Sequence, residues 1–168
     1  MKFQLQKRAV LHFISFVFLL CVFTTASAKK PYGAPISFEQ AKIVMAKAEA
    51  TAKENNWNVV ISIVDSGGHL VMLHRLDTTQ FGSVNISQQK AETAVAFRRP
   101  TAVFQELIAK GGKNIRLLNL NSGNSGVYEG GVPIIVDGKI IGGIGVSGVA
   151  SSDDAIIAQA GADSLLKK

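Results

Sequence analysis

The chain has 168 residues, 47% of them hydrophobic and 18% charged, with a formal charge of +6 and one cysteine. A single cysteine excludes a disulfide framework, and this length is that of one ordinary domain. The basic excess is scattered, with Arg98-Arg99 the only adjacent pair inside the fold. That argues against a nucleic-acid footprint.

The first residues, Met1-Lys2-Phe3-Gln4-Leu5-Gln6-Lys7-Arg8, carry only positive charge. An apolar run from Ala9 to Phe23 follows, interrupted by His12 and Ser15, and then Ala26-Ser27-Ala28. A basic start, a short apolar core and a small-x-small exit predict a secretory signal peptide over 1–28, cleaved after Ala28. A membrane-crossing helix needs roughly 20 apolar residues, more than this run offers. Cys21 suggests a lipoprotein, but bulky Leu20 stands where such signals carry a small residue. The segment holds three cations, Lys2, Lys7 and Arg8, and no acid, so its removal lowers +6 to +3. It also removes the only cysteine. The expected product is exported, periplasmic or extracellular, with no stable membrane anchor.

Residues 29–36 read as a polar, flexible lead-in with two prolines, and 37–168 as a single domain. Ser37-Phe38-Glu39-Gln40 has the form of a capping box. Phe38, Ala41, Met45, Ala48 and Ala52 then recur at helical spacing to about Asn55. Trp57 to Val64 is rich in β-branched residues and predicts a buried strand. Asp65-Ser66-Gly67-Gly68 is a turn, and His69 to Leu76 pairs back as a hairpin. A second helix spans Gly82 to Arg99, Pro100 stops it, and Thr101 to Lys110 forms a third. Gly111 to Gly131 is rich in glycine and asparagine and predicts short extended pieces at most. Val132 to Val136 and Lys139 to Val146, joined by Asp137-Gly138, form a second hairpin. Ser151 or Ser152 caps a last helix, with Asp153 and Asp154 in its first turn and Lys167-Lys168 in its last, as the helix dipole favours. Two hairpins among helices predict a mostly antiparallel sheet flanked by helices, an α+β arrangement.

Gly143-Ile144-Gly145-Val146-Ser147-Gly148 has the dinucleotide-binding spacing G-x-G-x-x-G. That motif works only where a strand feeds a helix inside a βαβ unit. Here it closes a hairpin with no later strand, so the glycines read as permitting close packing or as letting backbone approach a ligand. His69 and His74 are the histidines beyond residue 28, and their odd spacing sends them to opposite faces of a regular strand. They cannot clamp one metal together without a bulge. Either alone is a weak candidate for an axial haem ligand, against the reading of a surface or hydrogen-bonded histidine. Arg75 and Asp77 form either a surface ion pair or a fixed cation at a pocket mouth. Lys90 shares a helical face with Ile86, Thr93, Ala94 and Phe97, and either snorkels to solvent or points into a pocket to hold an anion. The sequon at Asn85-Ile86-Ser87 falls in mid-helix. No local signal assembles a catalytic set, so the catalytic residues are unknown.

Several segments together resemble the GlcG/HbpS family. They are Val64 to Val71, Arg75-Leu76-Asp77, Ser83 to Ile86, Lys90-Ala91-Glu92-Thr93-Ala94 and Phe97 to Thr101. Gly130 to Ile134, Asp137 to Gly142 and Gly145 to Gly148 complete the set. The same domain forms the C-terminal part of PduO-type proteins. The resemblance implies a five-stranded antiparallel sheet flanked by helices, of profilin/PAS-like shape, in a homo-oligomer, often an octamer. It implies haem as the suspected cofactor of exported members, with carrier, buffer, sensor-accessory or haem-degrading roles. Cytoplasmic members accompany pathways of small carboxylates or diols, which leaves a small organic carboxylate as the alternative ligand and a structural accessory role as a third reading. Haem ligation differs between members, so no iron ligand transfers. Arg75, Asp77, Ser83, Lys90, Thr93, Gly130 and Gly131 are implied to line a shared ligand pocket. Thr78-Thr79 departs from the Gly-Ala usual after the aspartate, which implies a stiffer loop.

Overall fold

The computed structural model describes residues 29–120 and 126–166. The expected signal peptide lies outside the described residues. Helix α1 (Phe38–Glu54) leads into β1 (Val60–Asp65), β2 (Leu70–Arg75), α2 (Ser83–Phe97) and α3 (Ala102–Ala109). A 3-10 helix (Gly112–Asn119), β3 (Gly131–Val136), β4 (Lys139–Ser147) and α4 (Ser151–Asp163) complete the order. The capping box forms: Ser37 Oγ accepts from the Gln40 amide, and the Gln40 side chain accepts from the Ser37 amide. The segment from Gly111, expected to be extended at most, winds instead into the 3-10 helix.

Among the described residues, four strands form one sheet in the order β2-β1-β4-β3, antiparallel throughout. This corrects the expected five strands to four. The lead-in occupies the place beside β4 that β1 leaves open, but it makes only an isolated bridge, Tyr32 to Ile140. Pro31 and Pro35 lack the amide a ladder needs. Nor is this lead-in a loose tail. Ile140 N–H donates to Pro31 O at 2.9 Å, Gly33 N–H to Ile140 O at 2.8 Å and Ile36 N–H to Ile141 O at 2.8 Å.

Alternation along β1 and β4 divides the two faces. Ile61, Ile63, Ile144 and Val146 join Val44, Met45, Ala48 and Ile157 in the main core, beneath α1 and α4. Val64 meets Ala91 and Val95 of α2 on the opposite face. The glycines of β4 explain how close α2 sits. A Cβ on Gly145 would lie 2.5 Å from the Ala91 nitrogen, and one on Gly143 would lie 2.8 Å from Ala91 O. Any side chain there would force the helix off the sheet. Of the two readings the sequence offered for these glycines, the structure shows close packing. Asp137 (φ 48°) and Gly138 (φ 74°) both take the left-handed conformation of a two-residue hairpin turn.

Candidate functional site

Two polar regions flank α2, and they differ in what their charges face. The first is buried. Lys90 Nζ donates to Val146 O at 2.9 Å and to Asp154 Oδ2 at 2.9 Å, and both side chains are only 3% exposed. Asp154 Oδ1 also accepts from the Val149 amide at 3.2 Å. Burial pushes the Lys90 amine below its ordinary value, against the pull of Asp154 and Glu129. Burial pushes the Asp154 carboxyl up, against the pull of Lys90. Lys90 thus neither snorkels nor faces an open pocket, as the sequence had allowed; it joins α2 to α4 through the sheet. Hydroxyls continue this seam: Ser62 Oγ lies 2.7 Å from Ser87 Oγ, and Ser147 Oγ donates to Ser83 Oγ at 3.1 Å.

Gly130 and Gly131 belong to the same seam. Gly130 adopts φ +114°, and a Cβ there would lie 2.9 Å from Lys90 Nζ. Gly131 N–H donates to Thr101 Oγ1 at 2.9 Å, and Thr101 N–H donates to Gly131 O at 2.9 Å, which ties β3 to the start of α3. Thr93 is buried on α2. The structure therefore brings together Ser83, Lys90, Gly130 and Gly131, with Thr93 on the same helix. Asp154, Ser87 and Ser62 complete this seam, and no local sequence signal marked them. In the sequence Asp154 reads only as a dipole-favouring residue in the first turn of a helix.

Arg75 and Asp77 stand apart from it, exposed at the end of β2. The Arg75 guanidinium donates through Nε (2.8 Å) and Nη2 (2.5 Å) to the Thr79 carbonyl, which braces the following loop rather than pairing with Asp77. In that loop Thr78 takes φ 64°, a left-handed conformation that a β-branched residue adopts at a cost. The two histidines are also separate. His69 Nδ1 sits 3.3 Å from the Asp65 carboxylate in the hairpin turn, and His74 Nδ1 sits 2.5 Å from Glu49 Oε1 of α1. Burial alone would raise the Asp65 carboxyl. The amides of His69 and Gly67, together with the His69 ring, outweigh it and hold the carboxyl below its ordinary value. Among the described residues, no group of three histidine, cysteine or acidic side chains could hold a metal ion.

The second region is an open cleft of about 530 Å³ at the free edge of β3. Val132, Pro133, Ile135 and Ile140 give it an apolar floor, with Val103 and Leu166 on its walls. Lys29, Lys30, Arg98 and Arg99 bring four cations to it, against one carboxylate, Asp163. Aromatic rings hold both arginines. The Arg98 guanidinium lies 5.6 Å from the Tyr32 ring centre, and that of Arg99 lies 5.9 Å from the Phe104 ring centre. Phe104 in turn packs edge-on against Phe97 at 5.2 Å. Arg98 itself caps α2 in the left-handed conformation, φ 55°. Neither arginine forms an ion pair among the described residues. A second hollow, of about 290 Å³ beside Tyr32, Ser66 and Glu92, has no cation in its lining. The doublets Lys29-Lys30 and Arg98-Arg99 were visible in the sequence; only folding put them at one mouth.

The HbpS-like family model, described as "Haem degrading protein HbpS-like", matches residues 36–163. The chain belongs to this family. Protein GlcG of Escherichia coli K12 is 39% identical over 112 residues, covering 67% of this chain and 81% of GlcG. Among solved structures, Klebsiella pneumoniae protein ORFY is similar with a TM-score of 0.74 and 30% identity, covering 83% of this chain and 97% of that one. The PduOC:heme complex is similar with a TM-score of 0.72 and 28% identity, covering 79% and 96%.

Proposed function

We propose that this protein is an exported haem-binding protein, a carrier, buffer or sensor accessory, and that the β3 cleft is where haem sits. The observation that carries this reading is the pairing of an apolar floor with four cations in one opening of about 530 Å³. Haem is a flat apolar macrocycle with two carboxylates, and it asks for those two surfaces at once. Ligand sites of roughly 300–1,000 Å³ are typical for molecules of that class. Val132, Pro133, Ile135 and Val103 would hold the ring, and Arg98 and Arg99 would take the propionates in charge-assisted hydrogen bonds. The bound group would supply iron redox chemistry. The donors of the lining itself are the Asp163 carboxylate, the Gln159 amide and the two lysine amines. The related PduOC domain, solved as a haem complex, supports the ligand class.

The small-carboxylate alternative drew on Arg75 and Lys90, and both are engaged elsewhere: Lys90 with Asp154, Arg75 with the Thr79 carbonyl. Export rests on the pattern of residues 1–28. Homo-oligomerisation is supported by the exposed α3 to 3-10 segment, and the octamer is the assembly that the family resemblance implies. There α3 buries only Phe104, the 3-10 helix buries no residue, and Ile115 is 52% exposed.

The test is a titration of the purified chain from Lys29 onward with haemin. A Soret band that saturates at micromolar haemin is expected, and no spectral change at neutral pH would sink the reading. Adding a reductant in air then separates carriage from degradation: a Soret band that shifts on reduction but keeps its intensity reads as carriage, and a bleached band with released iron reads as turnover driven by the reductant and dioxygen.

A further inference from the structure

The lead-in determines where the cleft's two lysines stand. The β1–β4 ladder ends at Asp65 and Gly142. Beyond it, residues 31–36 run along β4, fixed by three main-chain hydrogen bonds to Ile140 and Ile141. The Tyr32 hydroxyl adds a fourth anchor, donating to Val95 O at 2.8 Å, while its ring lies under Arg98. Pro31 O is thus a fixed point. Lys29 lies two residues before it, within about 7 Å of chain, and both Lys29 and Lys30 line the cleft. Lys29, the residue expected to begin the exported chain, therefore stands at the cleft.

The expected cut after Ala28 changes the chemistry of the site. In the uncut chain the Lys29 nitrogen is a neutral peptide amide. Hydrolysis of the peptide bond leaves the carboxylate on Ala28, which departs, and an α-amine on Lys29. With an ordinary pKa of about 7.7–8.0, an α-amine is mostly protonated at neutral pH. We infer that the α-amino group released at Lys29 is a working member of the cation rim, so that the protein binds its anionic ligand at full strength only after processing. The inference rests on the export and haem readings above. It assigns a binding role to a group that exists only in the exported form, and so confines tight binding to the compartment where processing has occurred.

The experiment compares three forms of the protein. One is the secreted chain, whose intact mass fixes its first residue. One begins at Ala26 and so retains Ala26-Ser27-Ala28. One begins at Lys29 with its α-amine acetylated. Haemin should bind the secreted form about tenfold more tightly than either other form, a 1.4 kcal/mol difference. Bound haemin should also slow acylation of the Lys29 α-amine at least about fivefold, as shielding in a charge-assisted contact requires. Equal affinity in all three forms, or a secreted chain that does not begin at Lys29, overturns the inference. If no form binds haemin, the haem reading fails by itself and NMR decides the placement. Acetylation that shifts the methyl signals of Val103, Val132, Ile135 and Leu166 supports the amine's position in the cleft; unchanged signals overturn it.

Discussion

The seam beneath α2 and the cleft at β3 are both polar, and they put charge to opposite uses. In the seam, Lys90 meets a carboxylate and a carbonyl inside the protein, with almost no surface left to solvent. In the cleft, Arg98 and Arg99 rest on aromatic rings with no carboxylate paired to them among the described residues. A buried charge with its partner inside the fold specifies packing, while an open charge without one is available to a ligand. The difference teaches that candidate residues shared across a family need not share a role.

The sharpest way to break this comparison is Lys90→Met. Leaving Asp154 buried without its cation should cost about 3–5 kcal/mol of stability, read as a fall in denaturation midpoint, while haemin affinity of the folded protein stays unchanged. The penalty should depend on pH with a definite sign. The folded Asp154 carboxyl already lies above its unfolded value, and losing Lys90 raises it further. The unfavourable contribution is therefore complete above the folded pKa and shrinks as pH falls through it. Asp154→Asn reverses the sign. It strands Lys90, whose amine is pushed down, so that penalty should shrink as pH rises. A double variant, Lys90→Met with Asp154→Asn, should recover part of the loss. A Lys90→Met protein that folds normally but no longer binds haemin would join the two regions into one site.

Gly145→Ala should be the next largest effect, about 1–3 kcal/mol, because its methyl would collide with the backbone of α2. The measurement is again the denaturation midpoint. Arg98→Gln with Arg99→Gln tests the other region. It should leave the midpoint nearly unchanged, weaken haemin binding about tenfold and flatten its salt dependence. Unaltered affinity would move the ligand out of this cleft. Thr78→Gly should have the smallest effect, a gain of about 0.5–1 kcal/mol from relief of the left-handed strain, partly offset by loss of the Asn58 hydrogen bond at 2.8 Å. A fall in stability there would show that the threonine's contacts outweigh its backbone strain.

Much of the fold was legible because its signals are local. Ser37 and Gln40 cap the first turn of α1, Asp137-Gly138 turns a hairpin, and β-branched runs mark the buried strands. The two hairpins read from the residues account for the four strands of the sheet; the fifth was implied only by the resemblance, and the lead-in beside β4 makes no more than an isolated bridge. The site was legible only in part. Lys90, Gly130 and Gly131 share a region as the resemblance implied, yet their role came from Asp154, which lies 64 residues from Lys90.

The sequence by itself determined the helices and strands outside the 3-10 segment, the two antiparallel hairpins and the glycines of β4 as places of close backbone approach. Periodicity, turn chemistry and side-chain size act over a few residues and can be read without coordinates. Only the tertiary structure decided which charges are satisfied internally and which face a cleft. That outcome depends on the burial and partners of each group, and these come from residues distant in the chain. The doublets at Lys29-Lys30 and Arg98-Arg99 are ordinary surface charge in sequence, and a common rim once the lead-in is fastened to β4.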